Sequence, residues 1–168
     1  GRSGVGRDPA TVAPYRFEGA AWRRGVVRVA GVDEAGRAPL AGPVVAAAVI
    51  LDAETRIVGL DDSKLLPPEE RERLFLLIRS RAVAVGVGMV DAQTIDRVNI
   101  LEATRLAMGA AVAALQVMPE LVLTDFVRLA GLDCPQRNLV RGDQRSATVA
   151  AASIIAKARS RTRRASSL

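Results

Sequence analysis

The sequence contains no histidine. That excludes Ser-His-Asp and Cys-His catalysis, histidine-based zinc sites and any imidazole general base. A single cysteine, Cys134, excludes an intrachain disulfide and a Cys-x-x-Cys metal site; it points to a reducing, cytoplasmic setting and reads as an incidental thiol. Aromatic residues make up only 3% of the chain, too few for a platform on which single-stranded bases stack. Long hydrophobic runs are also missing. The longest clean one, 44–51, is far too short to cross a bilayer, and Arg2, Arg7 and Asp8 interrupt any N-terminal secretory core.

The 168 residues, 49% hydrophobic and 25% charged, suit one soluble globular domain. The net charge of +6 is unevenly spread. Residues 1–28 carry six arginines against Asp8 and Glu18, a net +4. Residues 157–168 carry Lys157, Arg159, Arg161, Arg163 and Arg164 with no acid, a net +5, which leaves 29–156 at −3. Basic ends attract phosphates by counterion release, although such ends are often only solvated tails. An acidic middle between them suits an enzyme that holds metal ions and binds a polyanion.

Patterning divides the chain into a flexible leader over 1–24, a domain over 25–157 and an atypical basic tail over 158–168. The leader segment Gly-Arg-Ser-Gly-Val-Gly-Arg looks like a phosphate loop but lacks a preceding strand and the Gly-Lys-Ser/Thr ending. Strands are predicted over 26–32, 44–51, 83–89, 121–125 and 138–141. Helices are predicted after Pro67-Pro68-Glu69-Glu70, over 96–117, and from Ser146 through Ile154 and Ile155. Strands first, then helices alternating with strands, indicate a mixed α/β sheet with helices packed on it.

Asp33 and Glu34 end the first strand and Asp125 ends the fourth. Crevices at strand ends are where open α/β sheets hold ligands, and three oxygen donors there suit Mg2+ or Mn2+. Without histidine, hydrolysis needs another source of hydroxide, which metal-bound water supplies. Gly36-Arg37-Ala38 follows the acids, with Gly36 open to close backbone approach and Arg37 a planar fork for phosphate. Asp62-Ser63-Lys64 offers phosphate contacts from Ser63 and Lys64, and Gly142-Asp143-x-x-Ser146 a phosphate or metal neighbour before the last helix. Taken singly, each motif has an ordinary explanation in turn chemistry, helix capping or surface charge.

Together they are not independent. The run Val29-Ala-Gly-Val-Asp33-Glu34-Ala-Gly36-Arg37-Ala38-Pro-Leu-Ala-Gly-Pro-Val-Val resembles the opening signature of ribonuclease HII. Asp62-Ser63-Lys64, Asn99-Ile-Leu-x-Ala-Thr104-x-x-Ala-Met108, Val122-Leu-Thr-Asp125, Gly142-Asp143 and Ala150-Ala-Ala-Ser153-Ile-Ile-Ala-Lys157 follow in the family's order. The resemblance covers 26–157. It implies a ribonuclease H-like fold, α/β, with a five-stranded mixed sheet flanked by helices. It also implies cleavage on the 5′ side of ribonucleotides embedded in duplex DNA or in RNA–DNA hybrids, leaving a 3′-hydroxyl. The implied cofactor is Mn2+ or Mg2+, and the implied form a cytoplasmic monomer with no membrane partner. On this resemblance Asp33, Glu34 and Asp125 are the catalytic, metal-binding carboxylates. Gly36, Arg37 and Ala38 read the 2′-hydroxyl at the RNA–DNA junction, and Ser63, Lys64, Asp143 and Ser146 complete the substrate contacts.

The chain departs from the family twice. Ala38 stands where the family has glycine, and its Cβ obstructs backbone approach to the 2′-hydroxyl. The resemblance further implies a fourth carboxylate near position 161, occupied here by Arg161, and a C-terminal helical region that the chain lacks. The Arg/Ser-rich residues after Lys157 have the composition of a reading-frame change or a truncated product. A guanidinium beside a dication would weaken one metal position. A competing expectation is therefore a catalytically inactive nucleic-acid-binding remnant of the same fold. A small-molecule α/β binding protein ranks last, because Asp33-Glu34 occupies the place of a glycine-rich dinucleotide loop.

Overall fold

The computed structural model describes residues 15–35, 42–54, 56–60 and 66–166, with the side chains of 163–166 excepted. Five strands form one mixed sheet in the order β3-β2-β1-β4-β5. They are β1 (Val29–Ala35), β2 (Val44–Ile50), β3 (Ala84–Val90), β4 (Leu121–Asp125) and β5 (Gln136–Leu139). β2 pairs antiparallel with β1 and with β3, while β4 lies parallel to both β1 and β5. The helices are α1 (Arg16–Arg23), α2 (Pro68–Arg81), α3 (Ala92–Val98), α4 (Ile100–Ala113), α5 (Gly142–Arg145) and α6 (Ala147–Ser166). The five-stranded mixed sheet flanked by helices is the arrangement the motif order implied.

Every residue of β2 is buried, because the strand is covered on both faces and therefore reads as a continuous apolar run. On one face Ala46 and Ala48 pack with Ala30, Val32, Ala103, Ala107 and Ala111 beneath α4. On the other, Ala47 and Val49 pack with Leu74 and Ile78 of α2 and with Ala150, Ala151 and Ile155 of α6. Small side chains bring these layers close. A Cβ at Gly88 would overlap the α4 backbone at Ala107 and Ala111. One at Gly31 would fall within the Thr148–Val149 peptide of α6.

The structure revises several boundaries: the strand expected over 26–32 runs over 29–35, with Asp33 and Glu34 paired to β2 inside it, and that expected over 138–141 runs over 136–139. The helix expected over 96–117 is broken at Asn99, whose φ of 90° no helix accommodates. The Asn99 side chain accepts the Glu102 N–H at 3.0 Å and starts α4 afresh. The expected basic tail continues α6 as far as Ser166, with Ser160 buried and Arg159 and Arg161 exposed. The expected flexible leader includes α1, which buries Ala21 and packs with Val29, Leu121, Leu123 and Val149, while residues 1–14 lie outside the described residues.

Glu18 of α1 is fully buried and binds the start of α6. Its Oε2 accepts hydrogen bonds from Ser146 Oγ at 2.6 Å and from Thr148 N and Oγ1, both at 2.8 Å. A carboxylate at a helix N-terminus satisfies amide donors that have no partner inside the helix. Burial nevertheless raises the Glu18 pKa, against the lowering effect of its Ser146 and Thr148 bonds.

Replacing Gly31 with Ala is expected to cost about 3 kcal/mol or more, because backbone opposes the new methyl and neither element can move alone. Glu18→Ala is expected to cost about 3 kcal/mol by leaving buried donors unsatisfied. Each cost corresponds to a fall in Tm of about 6–12 °C in a thermal melt followed by circular dichroism.

Candidate metal centre

The parallel pairing of β1 with β4 sets the site. Val32 lies opposite Thr124 in that register, so continuing it by one residue puts Asp33 beside Asp125. Alternation puts both on the sheet face shared by Gly31, Leu121 and Leu123, towards α5 and α6. The third acid arrives from the chain after β5. Arg141 adopts a left-handed φ of 57° and turns it into α5, where Asp143 is the second residue. Gly142 makes the tight approach possible, since a Cβ there would lie 3.0 Å from the Thr124 carbonyl oxygen. Its N–H donates to Asp125 Oδ1 at 3.0 Å.

Carboxylate oxygens of Asp33, Asp125 and Asp143 consequently lie within 4.8 Å of one another. Asp33 and Asp143 are buried, and Asp125 is half-buried. Burial pushes the Asp33 carboxyl well above its usual range, and the charges of Glu34 and Asp125 add to the rise. The Glu34 N–H, donating to Asp33 Oδ1 at 2.8 Å, opposes it only in part. Glu34 has a buried Oε2 with no hydrogen-bond partner among the described residues. Close anionic groups, hard oxygen donors and an unpartnered carboxylate oxygen fit a divalent cation, which offsets the repulsion and the desolvation together.

Asp33 and Asp125 thus meet as expected, with Glu34 next to Asp33. Asp143, expected among the substrate contacts, sits in the carboxylate cluster instead. Near position 161, where a fourth acid was expected, Arg161 is an exposed side chain four turns along α6 from Ala147, and the further acid grouped with Asp33 and Asp125 is Asp143. Ser146, also expected to touch substrate, is fully buried and donates its hydroxyl to Glu18. Gly36, Arg37, Ala38, Ser63 and Lys64 lie outside the described residues. Sequence reasoning missed Glu18. Its available signal was the spacing of Phe17, Ala21 and Trp22 around it, which marks one turn of an apolar helix face. Elsewhere, burial and Asp133 raise the Cys134 thiol pKa, in keeping with an unreactive cysteine.

Comparison with known proteins bears on this geometry. The family model described as Ribonuclease HII matches residues 30–165. The chain belongs to the ribonuclease HII family. The ribonuclease HII of Geobacillus kaustophilus is 55% identical over 142 residues, covering 84% of this chain and 54% of that protein. That of Moorella thermoacetica is 50% identical over 156 residues, covering 93% and 76%. The chain therefore spans about half the length of several curated relatives it matches. Among solved structures, ribonuclease H2 from Pyrococcus horikoshii superposes with a TM-score of 0.72 at 28% identity, over 83% of this chain and 74% of that one. Bst-RNase HIII in complex with Mn2+ gives 0.61 at 25% identity, over 90% and 55%. No helix among the described residues is long and apolar enough to cross a membrane.

The raised Asp33 pKa carries a stability consequence. The folded chain holds the Asp33 proton more tightly than the unfolded chain does. Asp33 therefore weakens the metal-free fold as pH climbs from the unfolded carboxylate range through the raised folded value. Asp33→Asn is expected to melt several degrees above the metal-free parent at neutral pH and to flatten that pH dependence. Mn2+ at about 100 times its Kd is expected to stabilise the parent by about 2.7 kcal/mol and the variant by much less. Thermal melts across pH, with and without metal, test both.

Proposed function

We propose that this ribonuclease HII family chain is an endonuclease that cuts the phosphodiester 5′ to ribonucleotides embedded in duplex DNA or in RNA–DNA hybrids. The observation that carries the reading is the convergence of Asp33 of β1, Asp125 at the end of β4 and Asp143 of α5, with Glu34 next to Asp33. Asp33, Asp125 and Asp143 would hold Mn2+ or Mg2+, with Glu34 as a further ligand. Such an ion lowers the pKa of water and neutralises charge gathering at phosphorus. Mn2+ binding in a solved relative supports the choice of ion.

The chain's own residues supply orientation. The β1–β4 register fixes Asp33 against Asp125, and the Gly142 amide fixes the Asp125 carboxylate from the other side. Gly36, Arg37 and Ala38 continue directly from β1 and would meet the 2′-hydroxyl at the junction, while Ser63 and Lys64 contact the backbone nearby. Ala38 in place of glycine weakens that reading without touching the acids. The protein acts as a cytoplasmic monomer on this reading.

The alternative is an inactive nucleic-acid-binding remnant, which Arg161, Ala38 and the altered C-terminal residues favour; Asp143 within the cluster supports retained catalysis instead.

The test is cleavage of an end-labelled duplex containing one ribonucleotide. The expected result is cutting 5′ to the ribonucleotide that depends on Mn2+ or Mg2+ and falls at least about 100-fold in Asp33→Asn and in Asp143→Asn. A folded parent chain that binds the duplex but cuts it with neither metal would overturn the catalytic reading in favour of the remnant.

A further inference from the structure

The chain leaves β4 through a turn that its residue does not favour. The Val127 N–H donates to the Asp125 carbonyl at 2.9 Å, closing a γ-turn centred on Phe126 at a φ of 73°. A bulky residue in this left-handed region is an outlier, and γ-turns of this form are rare and strained. The turn persists because its surroundings hold it. Thr124 Oγ1 donates to the Val127 carbonyl at 2.6 Å, and Asn138 Nδ2 donates to the same oxygen at 2.9 Å. Asn138 also donates to Thr124 Oγ1 at 2.8 Å, which joins the two supports into one network.

The strained turn buries nothing. Phe126 is 72% exposed. The other aromatic residues behave differently: Tyr15 is buried and lies 6.0 Å from the half-buried Trp22, and Phe17 is covered by the guanidinium groups of Arg137 and Arg145. Phe75 packs beside the α2–α6 core. Phe126 alone of the five faces solvent, and it directly follows Asp125 of the carboxylate cluster. Glycine would take this backbone without strain and would expose no ring. Neither folding nor solubility accounts for phenylalanine here, whereas contact with a molecule arriving at the carboxylates does.

We infer that Phe126 is a substrate-contacting residue that lays its ring against the sugars and base edges of a nucleic-acid duplex, beside the phosphate that the aspartates address. The inference rests on the nuclease reading above. The ring carries neither charge nor hydrogen-bonding group, so the contact is apolar and tolerant of sequence. It adds affinity without releasing counterions, which separates it from contacts made by arginine and lysine.

The experiment measures binding of a fluorescent duplex with one ribonucleotide to the full chain carrying Asp33→Asn, in Mg2+, by anisotropy over a range of salt. Adding Phe126→Gly is expected to weaken binding about tenfold, with the salt slope unchanged. The same change is expected to raise Tm by about 2–4 °C by relieving the turn. Phe126→Ala keeps the strain and is expected to lose affinity without that gain, while Phe126→Trp retains affinity. Met118→Ala, at another exposed side chain three residues before β4, is expected to alter neither binding nor its salt slope. Binding of Phe126→Gly within twofold of its background, or a fall in its Tm, overturns the inference and leaves the nuclease reading intact. A background chain that binds no duplex at any salt overturns both.

Discussion

Where Gly31 faces the first turn of α6, no side chain separates the two backbones. That contact sets the height of α6 over the sheet, and the residues just before α6 descend with it. Asp143 lies five residues ahead of Thr148, so its distance from Asp33 follows from how closely the helix approaches β1. Two further constraints act on the same short segment. Glu18 binds Ser146 and Thr148 from α1, and the Gly142 amide binds Asp125 from β4. Three points of attachment across seven residues leave Asp143 little freedom, a constraint that would suit a metal ligand.

The fold accepts an electrostatic cost at this end of the sheet. Asp33 is buried beside two acids, and its raised pKa expresses that cost without a cation. A wholly apolar strand end would be more stable, so the acids are retained against stability. Glu18 presents the same problem with a different resolution. It is also buried and also raised in pKa, but Oε2 receives three hydrogen bonds from one helix start. Protein donors reach one oxygen of Glu18 and leave its buried Oε1 without a partner among the described residues, whereas the clustered acids add mutual repulsion that a cation would offset. Mutual repulsion, rather than burial, thus distinguishes the candidate metal ligands from Glu18.

The same contrast explains which parts were legible in the sequence. Asp33-Glu34 and Asp125 stood out because acids follow apolar runs there, although β1 continues through its acids to Ala35. The continuous burial of β2 could be read from its unbroken apolar run. Asp143 could be located but not given its role, because its place beside Asp33 depends on a left-handed turn at Arg141 and on the absence of a Cβ at Gly142. Neither is a periodicity. Ser146 read as a polar contact because a hydroxyl before a helix carries the same signal whether it meets a ligand or, as here, an acid 128 residues away. The α1 helix escaped because eight residues provide about two turns, and arginines at both ends resemble a solvated tail.

Backbone strain provides an independent map of the site. Three non-glycine residues among those described have a left-handed φ: Asn99, Phe126 and Arg141. Asn99 is locally compensated, since its side chain caps α4, and asparagine tolerates this region better than most residues do. Phe126 and Arg141 have no such local chemistry. One follows Asp125 directly, and the other stands two residues before Asp143. Strain that no local interaction repays persists only where neighbouring structure imposes it. Here that structure is the network of Thr124, Asn138 and Gly142 between β4, β5 and α5. The two turns therefore lie just inside two of the three aspartates, one after Asp125 and one before Asp143. Register alone aligns Asp33 with Asp125; bringing in Asp143 and exposing the Phe126 ring next in sequence to Asp125 go with backbone turns at Arg141 and Phe126 that an unstrained chain would not make.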